Sequence, residues 1–291
     1  MFLNESESVE YDRIDTEASL VGALDIIYES DIEMHRIENA MILAEHRAIV
    51  TEDISLNEAA SDFFRKIIDT IKKFMQKIKN WIEEYFRKAM DRFRNYSKWY
   101  EKNEEFITGD VSVKVNTYPT LGVNEFGNII DDLDSVLGEE REGKVTQAEI
   151  KEEIFGPDID SVHDAIQERV FGSIEQEERT TSPGLIKEAV ENIQGAEKQI
   201  EGLREKSSTV REVLDKAVEQ AENGLREAKK KDDVQDSELS RLRTEVSNRQ
   251  TEGKVAYTVY TQLVTARSKS AAEAYRVLKA VVKENKNNSD E

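Results

Sequence analysis

The sequence predicts a mostly α fold: N-terminal helices that include a long basic amphipathic helix, a small mixed α/β module, and a C-terminal antiparallel coiled-coil hairpin. Three observations carry this reading. Apolar residues recur on three- and four-residue steps over most of the 291-residue chain, the spacing of one helical face. Three prolines and thirteen glycines are few, which suits long uninterrupted helices and argues against a sandwich or barrel. Alternation with period two is confined to one short stretch. Charged residues make up 35% and hydrophobic ones 38%, so the chain reads as soluble and near the charged end of the globular range. It is long enough for a sizeable core in two or three subdomains.

Four segments follow one another: an acidic leader and first helix (1–58), the long basic helix (59–108), a small α+β module (109–183), and a helical hairpin with a short polar tail (184–291). In the first, Leu20, Ala23, Ile27, Met34, Ile37, Met41, Ala44 and Ala48 share one narrow helical face. Thr51 to Glu58 reads as a linker, with Ser55 a candidate N-cap.

The second segment departs most from the average. Ser61 to Tyr100 holds 11 Lys/Arg and 5 Asp/Glu, a net of +6 in a chain of net −20, so the remainder carries −26. It also holds 10 of the 21 aromatic residues, both tryptophans among them. Phe64, Ile71, Ile78 and Tyr85 are seven apart, and Ile67, Phe74 and Trp81 interleave with them. Ile68, Met75, Ile82 and Ala89 widen the stripe to the breadth of a core-facing helix. These seven interleaved residues are the candidate packing or interaction face. What covers it is open: the rest of the same chain, another subunit, a membrane or a nucleic acid. Because the aromatics sit in the apolar stripe, burial is favoured over stacking on bases. A membrane-surface role needs the stripe exposed.

Within the module, Val111, Val113 and Val115 alternate with polar residues as in a strand. Short helices are predicted at about Asn124–Leu137, Thr146–Phe155 and Ser161–Phe171. Thr146 and Glu149 match a capping box, and Gly156-Pro157 is a stop signal. In the last segment Ile186, Ile193, Ile200, Ser207, Leu214, Ala221 and Ala228 recur every seven residues, partnered by Ala189, Ala196, Leu203, Val210, Ala217 and Gly224. After a charged joint the seam resumes through Leu239, Leu242, Val246, Gly253, Ala256, Tyr260, Leu263, Ser270, Ala274, Val277 and Val281. Two helices of about 45 residues and a short joint predict an antiparallel hairpin. Its candidate seam residues are Ile193, Ile200, Leu203, Leu214, Leu242, Val246, Tyr260 and Leu263. Many seam positions are Ala, Gly or Ser, so the backbones should approach closely. Arg249 and Arg267 interrupt the second arm; they either set the register or snorkel outward.

Chemistry is sparse. There is no cysteine, which excludes disulfides, thiolate metal sites and cysteine nucleophiles. His35 and His46 lie eleven residues apart and lack the i, i+4 spacing usual for a helical metal pair. Asp158, Asp160, His163 and Asp164 cluster, but lack the central glycine and terminal glutamate of a calcium loop; Asp160 or Ser161 as an N-cap explains them. No catalytic residue, metal ligand or cofactor site is expected. The acidic N-terminus lacks a signal-peptide pattern, and no apolar run approaches the ~18 residues of a membrane span. Acidity disfavours duplex DNA as a specific partner.

The order of parts is informative: an acidic helix with AMILAEHRAIVTE, then FFRKIIDTIKKFMQKIKNWI, a module with KVNTYPTLG and EIFGPDIDSVHDAIQERVFG, and an Ala-rich hairpin with VAYTVYTQLVTARSKSAAEAYRVLKAVV. In this architecture the chain resembles virion structural proteins of unassigned role from large tailed bacteriophages of Gram-positive hosts. The resemblance implies a non-enzymatic virion component, head-associated or internal, assembled in the host cytoplasm with other virion proteins or copies of itself. Two rival expectations stand beside it. One is a membrane-active protein delivered with the genome, acting through residues 61–100; the other is a cellular coiled-coil adaptor. The resemblance also raises proteolytic maturation at apolar-x-Glu triplets such as Leu56-Asn57-Glu58, which chance alone supplies readily in a chain with 61 Asp and Glu.

Overall fold

The computed structural model describes residues 56–109, 111–157, 159–229 and 236–289, together with helical positions 32, 33, 36, 37, 39, 40, 42 and 43. Of the expected first helical face only Ile37 falls within the described residues, and it is buried, whereas Ile32, Ile42 and Leu43 are exposed. Ser55, His35, His46 and Asp158 lie outside the described residues.

The protein is mostly helical. Helix α1 (Leu56–Asn103) is followed by a 3₁₀ turn, strand β1 (Lys114–Thr117), α2 (Glu125–Val136), α3 (Gln147–Phe155), α4 (Val162–Phe171) and β2 (Glu177–Thr180). Then come α5 (Pro183–Lys206), α6 (Ser208–Ala228) and α7 (Asp236–Ser289). The basic helix runs 48 residues and the last helix 54. Helices α2, α3 and α4 start and stop within one residue of the predicted stretches. Their local signals are in place. Thr146 and Glu149 exchange hydrogen bonds, Glu149 N–H donating to Thr146 Oγ1 at 3.2 Å and Thr146 N–H to Glu149 Oε2 at 2.7 Å. Ser161 is the N-cap of α4 and accepts from the Asp164 N–H.

Three local differences have physical causes. Helix α1 begins inside the expected linker, because Leu56 to Ala60 contain no breaker to delay it. The first arm of the hairpin is two helices, α5 and α6, meeting at Ser207. Strand β2 carries no period-two apolar signal, since Glu-Glu-Arg-Thr is wholly polar and, apart from half-buried Arg179, exposed. Its pairing comes from β1: Lys114 to Thr117 lie opposite Thr180 to Glu177 in an antiparallel ladder. A short, charged edge strand of this kind resists pairing with other chains.

By proximity the described residues form two compact units. The first comprises the described residues up to Trp81, Val136–Glu153 and Ser207–Thr258. Within it α6 runs against α1, as Phe64 meets Gly224 and Lys72 pairs with Glu222. Helix α7 runs with α1, as Phe63 lies under Arg243 and Phe74 meets Tyr257 edge-on at 6.4 Å. The second unit comprises Ile82–Ser135, Ile154–Lys206 and Val259–Glu291. Here Tyr96 stacks on Tyr275 at 4.6 Å, and Lys286 Nζ donates to Asn103 Oδ1 at 2.8 Å. Between Val259 and Val282 the α7 side chains are buried on almost every side. The turn after β1 holds Gly122 at φ 57°, where a Cβ would stand 1.7 Å from the Val170 carbonyl oxygen. No other residue fits there.

Candidate interaction faces and the buried polar track of the last helix

The stripe singled out on α1 is covered from within the chain. Phe64, Ile67, Ile71, Phe74 and Ile78 are buried, with Trp81 half-buried in the first unit. Tyr85 is buried in the second, where its hydroxyl pairs with Thr265 Oγ1 at 2.8 Å. Trp81 meets Tyr257 edge-on at 5.5 Å. The opposite side of α1 faces water and carries the charge. Arg65, Lys66, Lys72, Lys73, Lys77 and Lys79 are exposed, and their neighbours include Asp62, which pairs with Lys66 at 2.6 Å, and Glu222. The surface that α1 offers to a partner is therefore basic and polar. Its apolar side is already occupied.

The hairpin seam residues Ile193, Ile200, Leu203, Leu214, Leu242, Val246, Tyr260 and Leu263 are all buried. Glycine positions show what each seam meets. A Cβ on Gly253 would stand 2.6 Å from Leu214, so α6 and α7 close directly on one another there. A Cβ on Gly224 would stand 2.3 Å from the Phe64 ring, so this seam residue receives α1 rather than α7.

Helix α7 also carries a line of buried polar and charged groups that its heptad pattern does not announce. In the first unit Glu252, fully buried, accepts two bonds from Arg249 Nη1 at 2.9 and 2.8 Å and one from the Gly138 N–H at 3.2 Å. Arg141 lies 3.6 Å from the same carboxylate and makes a bidentate bond to Glu153, both contacts 2.7 Å. Two guanidinium and two carboxylate groups balance. The hydrogen bonds from Arg141 hold the Glu153 carboxyl below its ordinary range. Asn248 ties down the same loop, accepting from the Val145 N–H and donating to the Gly143 carbonyl.

The second unit is built differently. Arg267 is 0% exposed, and among the described residues no carboxylate pairs with it. Its Nη1 donates to Asn192 Oδ1 at 2.8 Å and its Nη2 to the Asn192 backbone carbonyl at 2.7 Å. The guanidinium lies 5.6 Å from the Phe93 ring centre, and its Nε has no acceptor among the described residues. Burial pushes its pKa down to about 9, which still leaves it charged at neutral pH. Asn192, itself buried, donates to Ser270 Oγ at 2.6 Å and to the Leu121 carbonyl at 3.3 Å. Ser270 also donates to that carbonyl. Further along, Glu273 accepts from Gln176 at 2.7 Å and Thr117 at 3.3 Å, and pairs with Arg276. Desolvation raises the Glu273 carboxyl above its usual value despite those partners. Arg276 also donates to the Asn116 carbonyl.

Of the two arginines that interrupt the sequence pattern, neither simply turns out to water. Glu252, Glu273 and Asn192 were not legible as site residues, whereas Ser270 lies on the predicted seam and is buried there. A signal existed: Arg249–Glu252 and Glu273–Arg276 are opposite charges three apart, in a stretch whose apolar residues occupy all helical faces. The second candidate cluster resolves into a cap, with His163 Nδ1 2.8 Å from Gln262 Oε1. Among the described residues no group of three metal-ligating side chains comes together. No described helix is long and apolar enough to cross a membrane. No protein-family model matches the chain, and neither curated proteins nor solved structures yield a match.

Proposed function

We propose that this chain is a non-enzymatic structural protein of a bacteriophage virion, head-associated or internal, that acts by helix-mediated assembly with other virion proteins or copies of itself. The observation that carries most weight is the disposition of α1. Its apolar, aromatic side is filled by the chain's own helices, while its lysines and arginines face outward. The molecule thus presents long helices with charged surfaces, a form suited to packing among neighbours. The order of parts that underlies the resemblance supports the phage setting.

The test is localisation. Mass spectrometry and cryo-EM of purified virions and capsid precursors should find the chain as a stoichiometric component; its absence from both would sink the proposal. The membrane reading requires α1 to leave its neighbours and free the stripe from Phe64 to Tyr85. Flotation of the intact protein with anionic liposomes addresses that reading, and co-flotation with loss of the Trp81–Tyr257 contact would favour it. For the adaptor reading, gene neighbourhood is decisive.

A further inference from the structure

Within the first unit the outer sides of α1 and α6 adjoin and carry opposite charge. On α1, Arg65, Lys72 and Lys79 stand seven residues apart, Lys66 and Lys73 form a parallel row, and Lys77 follows; all six are exposed. On α6, Glu212, Asp215, Glu219 and Glu222 fall on three- and four-residue steps and form one exposed stripe. Lys72 Nζ lies 3.5 Å from Glu222, and the Phe64 ring fills the notch at Gly224, so the two stripes meet edge to edge on one surface. Neither stripe is uniform. Asp62 and Asp69 interrupt the basic rows, while Arg211, which pairs with Asp215 at 3.4 Å, and Lys216 flank the acidic stripe. From residue 61 to 81, six exposed cations against two exposed carboxylates still leave +4. Over α6, five carboxylates against three cations leave −2.

We infer that this surface is where a second copy of the chain docks, α1 of each copy lying against α6 of the other. The inference deepens the assembly reading above and rests on it. A two-fold axis parallel to the helices sets the basic rows of one copy over the acidic stripe of the other, twice in one interface. A two-fold axis across the helices sets α1 on α1 and α6 on α6, and is repelled at both. The surface therefore complements itself in one arrangement. Two observations favour a second copy over a phosphate polyanion. The acidic stripe lies on the same surface as the basic rows and repels phosphates there. The rows repeat every seven residues, about 10.5 Å of helical rise, a spacing that another helix reproduces. The net charge of −20 keeps copies apart wherever unlike stripes do not meet, so the contact is polar, specific and reversible.

All the positions concerned are exposed, so charge reversal there leaves the core intact, which circular dichroism checks. Sedimentation velocity of the full chain at low ionic strength should show a concentration-dependent monomer–dimer equilibrium. Arg65→Glu/Lys72→Glu/Lys73→Glu makes both stripes acidic, and Glu212→Lys/Asp215→Lys/Glu219→Lys makes both basic. Each set should weaken self-association by about a hundredfold or more. Mixed together, the two variants should form a heterodimer. A chain carrying both sets keeps the wild-type net charge with its stripes exchanged, and should self-associate as the wild type does; this separates a matched surface from a general effect of charge. A wild-type chain that stays monomeric, a dimer that survives either reversal, or a doubly reversed chain that stays monomeric overturns the inference. So does binding of a single-stranded thymidine oligonucleotide by the α1 face without self-association. Should a reversal unfold the chain, Arg65→Gln/Lys72→Gln/Lys73→Gln supplies a second reading: it should weaken the dimer by about tenfold, and an unchanged dissociation constant counts against the contact. A chain present in virions yet monomeric in solution sinks this inference alone and leaves assembly with other virion proteins standing. A self-associating chain absent from virions and capsid precursors does the reverse.

Discussion

The two units solve the same problem with opposite means. Each must pack stretches of α1 and α7 with one arm helix, α6 in the first and α5 in the second, although the arm seams are rich in small residues. The first unit uses shape and balanced charge: Phe64 sits on Gly224, Leu214 sits on Gly253, and Glu252 and Glu153 match Arg141 and Arg249. The second uses one buried cation held by neutral groups, Arg267 on Asn192. A notch holds by shape, since a displaced knob finds no hole. A polar pair holds by hydrogen bonds, since a displaced donor finds no acceptor. The difference teaches where each unit is vulnerable: the first to a change of volume or removal of its carboxylate, the second to loss of the neutral acceptors around Arg267.

The largest effect expected is from Glu252→Leu. It leaves Arg141 and Arg249 facing an apolar site, and should lower stability by about 3–5 kcal/mol, as breaking a buried ion pair does, measured by urea unfolding. A loss near zero would erase the contrast between the units. Gly224→Ala comes next. Helix propensity favours alanine by about 1 kcal/mol, yet the new Cβ would lie 2.3 Å from the Phe64 ring. A net loss of about 2 kcal/mol is expected, with partial recovery on adding Phe64→Leu; no recovery would mean the notch does not read that ring. In the second unit Asn192→Leu/Arg267→Met should leave the urea midpoint unchanged or raise it, within about 1 kcal/mol or better. A loss as large as that of Glu252→Leu would show that the buried cation stabilises the fold.

The smallest effects are on pH dependence, and they run in opposite directions. Glu153 in the first unit has a folded-state pKa depressed by Arg141. Its contribution is present above the ordinary carboxyl pKa and lost as pH falls through the folded value, so Glu153→Gln should flatten the acid limb of stability. Glu273 in the second unit has its pKa raised by burial. Its contribution is greatest below the ordinary carboxyl pKa and is lost as pH rises through the raised value. Glu273→Gln should therefore flatten a decline on going from acid toward neutral pH. Urea midpoints across the acid-to-neutral range check both signs.

Much of the local structure was legible from local signals. The helices of the module follow their caps and stops: the Thr146–Glu149 box, Ser161, and Gly156 after α3. The stripe on α1 was legible because a period near 3.6 is imposed by the helix itself. β2 was not, since its strand character depends on a partner 60 residues away in sequence and not on its own four residues. The buried groups of α7 were also obscured. A heptad reading assigns polar residues to the outside, and that holds only while a helix has an outside.

By itself, then, the chain determined which segments are helical, where several of them begin and end, and which face of α1 is apolar, because backbone hydrogen bonding and side-chain spacing act over a few residues. Tertiary structure decided what covers that face, that Gly224 receives Phe64, and that Arg267 is enclosed. Those outcomes depend on which distant residues arrive at the same place. For a buried arginine the distinction is decisive, since its own sequence position does not reveal whether acceptors such as those of Asn192 will enclose it.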